Sequence, residues 1–188
     1  MPALVAPSHF VRRCALRAGF RAHRVHVLAP YWYEEPEPPL PEEPGLVLVA
    51  SLGLEGSVEL AGFLAWERLS ELYRRCAFVL VPSLTRESFG LGGVQALAHA
   101  KPVVAFDTGA HREWLEHGVS GYLAEPGRVD CLAEYTARLL ASAQLRREMG
   151  RAGHVRCAQH FPRDLHIEHL LQVYNAASRW HQPRWFME

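Results

Sequence analysis

The chain has 188 residues, of which 49% are hydrophobic and 21% charged, and its 20 Lys+Arg balance 20 Asp+Glu. That length suits one domain around a single buried core, and the composition excludes a disordered, collagen-like or coiled-coil chain. Zero net charge leaves no basic footprint for nucleic acid, so none is expected as a partner.

In chain order, MPALVAPSHF has no basic start before a long apolar core and does not read as a signal peptide. Residues 8–19 predict a short helix: Ser8 caps it, Phe10, Val11, Cys14 and Leu16 give one apolar side, and Gly19 ends it. RVHVLAP, residues 24–30, alternates and is valine-rich, which predicts a strand. EEPEPPLPEEP, residues 34–44, has five glutamates and five prolines in eleven positions and predicts an extended connector. The pattern divides the chain into 1–44, a strand, helix and Pro/Glu-rich linker, and 45–188, a Rossmann-like α/β domain.

After Gly45 come five short apolar runs: LVLVAS (46–51), VELAG (58–62), AFVLVPS (77–83), PVVAFD (102–107) and GYLAE (121–125). Several are continuous rather than alternating, as expected of strands covered on both faces of a parallel sheet. Helical segments WERLSELYRRC (66–76), LGGVQALAHA (91–100) and AHREWLEHG (110–118) lie between them. Three more helices are expected near 128–142, 143–152 and 163–178. The alternation predicts an α/β fold, a Rossmann-like parallel sheet with a helical C-terminal end. GLVLVASLGL and AFVLVP fall short of the about 20 apolar residues that a membrane-crossing helix needs, so no transmembrane segment is expected. Cys14, Cys76, Cys131 and Cys157 form no C-x-x-C pair and read as reduced thiols, which places the chain in the cytoplasm.

The stretch VPSLTRESFGLGGVQALAHAKPVVAFDTGAHRE, residues 81–113, carries the chemistry. RESFGLGG leaves the C-terminal end of a strand and enters a helix, the end of an open α/β sheet where ligands bind. A helix N-terminus offers unpaired N–H groups to phosphate, and Gly90, Gly92 and Gly93 clear side chains from the approach. Glu87 repels phosphate but accepts hydrogen bonds from sugar hydroxyls, so a phosphate joined to a sugar satisfies both features. A glycine-rich turn of this kind serves packing as readily as binding.

Several motifs in register resemble the C-terminal, nucleotide-sugar-binding domain of family-four retaining glycosyltransferases, the glycosyl transferases group 1, which have the GT-B fold. They are Glu87-Ser88-Phe89-Gly90-Leu91, Gln95-Ala96-Leu97-Ala98, Lys101-Pro102-Val103-Val104-Ala105, Gly109-Ala110-His111-Arg112-Glu113 and Gly118-Val119-Ser120-Gly121-Tyr122-Leu123. With GLEGSVELAGFL and RLSELYRRCAFVLVPS upstream, the likeness covers residues 53–178. It implies transfer of a sugar from a nucleotide-diphospho-sugar, without metal or resident cofactor. Glu87 would be the catalytic-site carboxylate that binds donor-sugar hydroxyls. Ser88, Phe89, Gly90 and Leu91 would face the diphosphate and sugar, and Gln95 stands where the family has a second glutamate for the ribose. Glutamine keeps hydrogen bonding but loses the charge that strengthens a carboxylate–hydroxyl bond.

Two further departures bear on activity. Where the family has a Gly-Arg loop and a lysine that hold the diphosphate, LVLVAS runs within a few residues into LGLEGSVELAG. The family's N-terminal acceptor domain has no counterpart beyond residues 3–30, which resemble its last strand and the linker helix. The chain alone is therefore expected to show no measurable turnover, and a homodimer or a partner subunit supplying an acceptor domain is expected to complete it. A non-catalytic nucleotide-sugar-binding or regulatory module remains the alternative. A GT-B-fold epimerase fits less well, because the Glu-x-Phe-Gly signature belongs to transferases.

Other features are weaker. His166 and His169 share a helix face without a third ligand, so no metal site is expected. His154, His160 and the pairs Arg12-Arg13, Arg74-Arg75 and Arg146-Arg147 read as solvated faces. His111 and Arg112 sit in the loop beside the donor site as candidates for ligand contact, with exposed loop-surface residues as the default reading, and Ser83 reads equally as a turn serine or a contact to base or phosphate. Trp180, Trp185 and Phe186 give the tail an apolar patch of the kind that marks an interface.

Overall fold

Strand and helix alternate from Trp66 to Ala141, and two more helices follow to Ser178. The computed structural model describes residues 4–6, 13, 16–17, 25–27, 61 and 64–178. The elements are β1 (Leu4–Ala6), β2 (Val25–Val27), α1 (Trp66–Arg75), β3 (Val79–Val81), α2 (Leu91–Ala98), β4 (Val103–Phe106), α3 (His111–Trp114), β5 (Gly121–Ala124), α4 (Val129–Ala141), α5 (Ala143–His160) and α6 (Arg163–Ser178). β1 and β2 pair in parallel, Leu4 opposite Val25, which places a strand within the expected 24–30. Arg13, Leu16 and Arg17 are helical within the expected 8–19, whose other residues lie outside the described ones. The linker 34–44 and the run 46–51 also lie outside, as does 58–62 apart from Ala61, and with them the Gly-Arg…Lys question.

β3, β4 and β5 form a parallel sheet in that order, Val79 opposite Val103 and Val103 opposite Gly121. The continuous apolar run of β4 has a direct cause. All four of its residues are buried, and successive side chains of a strand point to opposite faces. Val103 and Ala105 join one core with Val94, Leu97, Trp114, Cys157 and Phe161, whereas Val104 joins a second with Phe78, Tyr122, Leu139 and Met149. Both faces of the strand are therefore covered, α2 and α5 contributing to the first core and α4 and α5 to the second. This arrangement bears out the α/β, Rossmann-like parallel sheet with a helical C-terminal end.

Two helices differ from expectation. α3 is four residues long rather than spanning 110–118. Leu115 leaves the helix with extended dihedrals, and Arg156 on α5 donates to the carbonyls of Glu113 and Trp114 at the helix end. α5 continues to His160 instead of ending near 152. Gly150 lies where an added Cβ would stand 2.0 Å from the Ala100 carbonyl oxygen. The glycine lets α5 lie against the turn after α2, and that packing outweighs its low helix propensity.

Candidate functional site

The chain leaves β3 at its C-terminal end and enters α2 through Gly90, whose left-handed conformation (φ 88°, ψ 53°) reverses the backbone at the helix N-cap. A side chain there is excluded twice over, by the positive φ and by space. An added Cβ would lie 3.0 Å from His111 Cδ2 and 3.1 Å from Trp114 Cζ2. The amides of Leu91 and Gly92 open α2 with no partner among the described residues, as the first N–H groups of a helix do. They carry the positive end of the helix dipole and suit an anion.

Aromatic packing holds this loop from beneath. The Phe89 ring is buried edge-on against Phe161, with centroids 5.5 Å apart, and the Phe89 carbonyl accepts the Trp114 indole N–H. Phe89 therefore offers only backbone to a ligand. Ser88 is exposed, and the Glu87 carboxylate is about one-third exposed at the rim. The loop after β4 lies alongside: the Ala110 amide donates to the Glu87 carbonyl at 3.3 Å, and the Thr108 hydroxyl donates to the Ser83 carbonyl at 3.2 Å. Ser83 Oγ is 2.7 Å from Thr85 Oγ1, a turn contact.

His111 and Arg112, neighbours in sequence, part company in the structure. Arg112 points outward and pairs with Asp107 through two nitrogens. His111 is fully buried, which corrects its reading as a loop-surface residue. Its Nδ1 lies 2.7 Å from the Phe106 carbonyl, and its Nε2 is 3.9 Å from Glu87 Oε2 with no hydrogen-bond partner. Nothing local in the sequence marks this burial, since it results from the loop after β4 folding under the loop after β3.

Gln95 lies one turn inside α2, half-buried beneath α1. The Tyr73 hydroxyl is 3.1 Å from the Gly92 carbonyl and 3.3 Å from Gln95 Oε1, and burial raises its pKa to about 12. A buried network fixes this corner. His99 Nδ1–H donates to the Gln95 carbonyl at 2.8 Å, so its Nε2 accepts the Ser70 hydroxyl at 2.9 Å, while Tyr73 stacks on the imidazole. Lys101 is buried, and desolvation lowers its pKa, partly offset by Cys76. Glu87, Ser88, Phe89, Gly90 and Leu91 thus form one continuous rim, and Gln95 stands behind it on the same helix.

Among the described residues, no group of three or more His, Cys, Asp or Glu is placed to hold a metal ion. No described helix is long and apolar enough to cross a membrane. Cys76, Cys131 and Cys157 are free thiols.

The profile of the family "Glycosyl transferases group 1" matches residues 46–156. An exopolysaccharide phosphotransferase of Streptomyces coelicolor is 37% identical over 109 residues, covering 57% of this chain and 11% of that protein. A D-inositol 3-phosphate glycosyltransferase of Salinispora tropica is 36% identical over 137 residues, covering 73% of this chain and 28% of that enzyme. The chain thus spans less than a third of the length of either relative. The crystal structure of Anabaena HepE in complex with UDP-glucose superposes with a TM-score of 0.78 at 20% identity, over 94% of this chain and 64% of that one. The shared fold is the GT-B type, and with the profile covering more than half of its length, the chain belongs to the glycosyl transferases group 1 family.

Proposed function

We propose that the chain binds a nucleotide-diphospho-sugar at the Glu87–Leu91 rim and serves transfer of that sugar to an acceptor. The observation that carries this reading is the loop itself. A left-handed Gly90 opens α2 so that the amides of Leu91 and Gly92, unpartnered among the described residues, stand beside a partly exposed carboxylate. Amides and helix dipole take the diphosphate, and Glu87 accepts hydrogen bonds from the sugar. Ser88 lies within the rim, and Gln95 meets the ribose. The diphosphate is held without a metal ion. HepE, solved with UDP-glucose, supports this class of donor, and the D-inositol 3-phosphate glycosyltransferase relative supports sugar transfer.

The chain spans 28% of that relative, and acceptor contacts are assigned to a further domain, with a homodimer or a partner subunit as one way of completing the site. A two-fold dimer is the default arrangement for self-association, and the free thiols suit the cytoplasm. Light scattering coupled to size exclusion reads the assembly. For donor binding, melting temperature is measured against a panel of nucleoside diphosphates and their sugars at millimolar concentration. At least one nucleotide sugar raises it, and no shift with any of them contradicts the reading.

A further inference from the structure

His111 is the described residue whose buried side-chain nitrogen lacks a hydrogen-bond partner. Its ring is held on three sides. The Phe106 carbonyl at the end of β4 lies 2.7 Å from Nδ1, Trp114 packs edge-to-face at 5.2 Å, and Gly90 at the start of α2 faces the Cδ2–Nε2 edge. A carbonyl only accepts, so Nδ1 carries the proton. Nε2 of the neutral ring is then a bare lone pair, and it faces Glu87 Oε2 across 3.9 Å. Two acceptors facing each other repel. A second proton on Nε2 turns the same contact into a donor facing a carboxylate.

The other groups around the ring do not compete for that proton. β4 offers the neutral Phe106 carbonyl, the following loop offers the Thr108 hydroxyl, 3.5 Å from Nδ1, and α2 offers Gly90. On α3, Arg112 is turned to Asp107. The facing charge is that of Glu87.

We infer that His111 is a positioning residue for Glu87: its Nε2, once protonated, holds one carboxylate oxygen from the buried side and leaves the other to the donor sugar. The inference rests on Glu87 being the sugar-binding carboxylate. It concerns the sugar and leaves the diphosphate contacts, made by amides, unchanged. Without that contact the carboxylate is free to turn away, so its loss weakens recognition of the sugar and leaves recognition of the diphosphate unchanged.

Two measurements test this. The first needs no ligand. Long-range nitrogen–proton spectra of the histidine rings, recorded against pH on the full chain, show neutral His111 protonated on Nδ1. In Glu87→Gln the Nε2 resonance of His111 moves, because the group facing it at 3.9 Å is replaced. A neutral ring protonated on Nε2, or an unaltered Nε2 resonance in Glu87→Gln, overturns the inference. The second compares UDP-glucose with UDP as probes. His111→Asn keeps a short polar group toward Phe106 and removes Nε2. It lowers the affinity for UDP-glucose by about three- to tenfold and leaves that for UDP unchanged. An equal loss for both probes means that His111 only supports the loop. Absence of UDP-glucose binding to the unaltered chain counts against the donor reading, whereas the spectra judge the His111–Glu87 contact independently.

Discussion

Trp114→Phe should destabilise the fold and loosen the loop Glu87–Leu91 together. Trp114 is fully buried, and its indole N–H is the bond that holds the Phe89 carbonyl. Phenylalanine cannot make that bond, and Phe89 is itself buried, so the carbonyl is left unpaired at a cost of about 1–3 kcal/mol. The smaller ring also leaves a void beside Gly90, for about 1–2 kcal/mol more by comparison with complete truncations of aromatic residues. Neighbouring effects do not add fully, so about 2–4 kcal/mol is expected. Urea unfolding followed by circular dichroism gives the loss, with Trp66→Phe as control. Trp66 is 38% exposed on α1, and its replacement should cost less than about 1 kcal/mol. If the two variants agree within about 0.5 kcal/mol at equal denaturant slope, the Trp114–Phe89 contact does not hold the loop.

Gln95→Glu should tighten nucleotide binding by about 1 kcal/mol in calorimetric titration, since a charged acceptor makes the stronger bond to a ribose hydroxyl; unchanged affinity would separate this position from the ribose. Stability should fall above about pH 9 in urea midpoints measured against pH. Burial raises Cys157 from 9.0 to about 12, Cys76 from 9.0 to about 11 and Tyr73 from 10.0 to about 12. The unfolded chain therefore releases these protons first, and the stabilisation present below pH 9 is lost progressively up to about pH 12. Lys101 works in the opposite direction below its ordinary 10.5, so the decline should steepen above that value. Iodoacetamide near neutral pH should label half-buried Cys131 before buried Cys157, read by peptide mass spectrometry, because the thiolate is the nucleophile.

The parts of the fold with local causes were legible in the sequence. Val103 to Phe106 read as a doubly covered strand because a strand buried on both faces needs no polar residue. The turn at Gly90 was legible because a glycine-rich strand-to-helix loop admits the left-handed N-cap found there. What escaped has distant causes. Arg156 meets the end of α3 from α5, and α5 runs through Gly150 because Ala100 lies against it. His111 looked like a loop residue because its burial depends on Glu87 and Gly90, in the loop after β3, closing over it beside Trp114 of its own helix. The hydroxyl of Tyr73 over Gln95 likewise joins helices that the sequence separates by a strand.

The most direct test of the donor site is isothermal titration of the full chain and of Glu87→Ala with UDP-glucose and with UDP. The structure predicts that UDP-glucose binds more tightly than UDP to the unaltered chain, and that Glu87→Ala removes most of that difference while retaining UDP, because the amides at the start of α2 remain. Equal losses for both ligands, or a preference for UDP-glucose that survives in Glu87→Ala, would contradict the assignment of the sugar to Glu87.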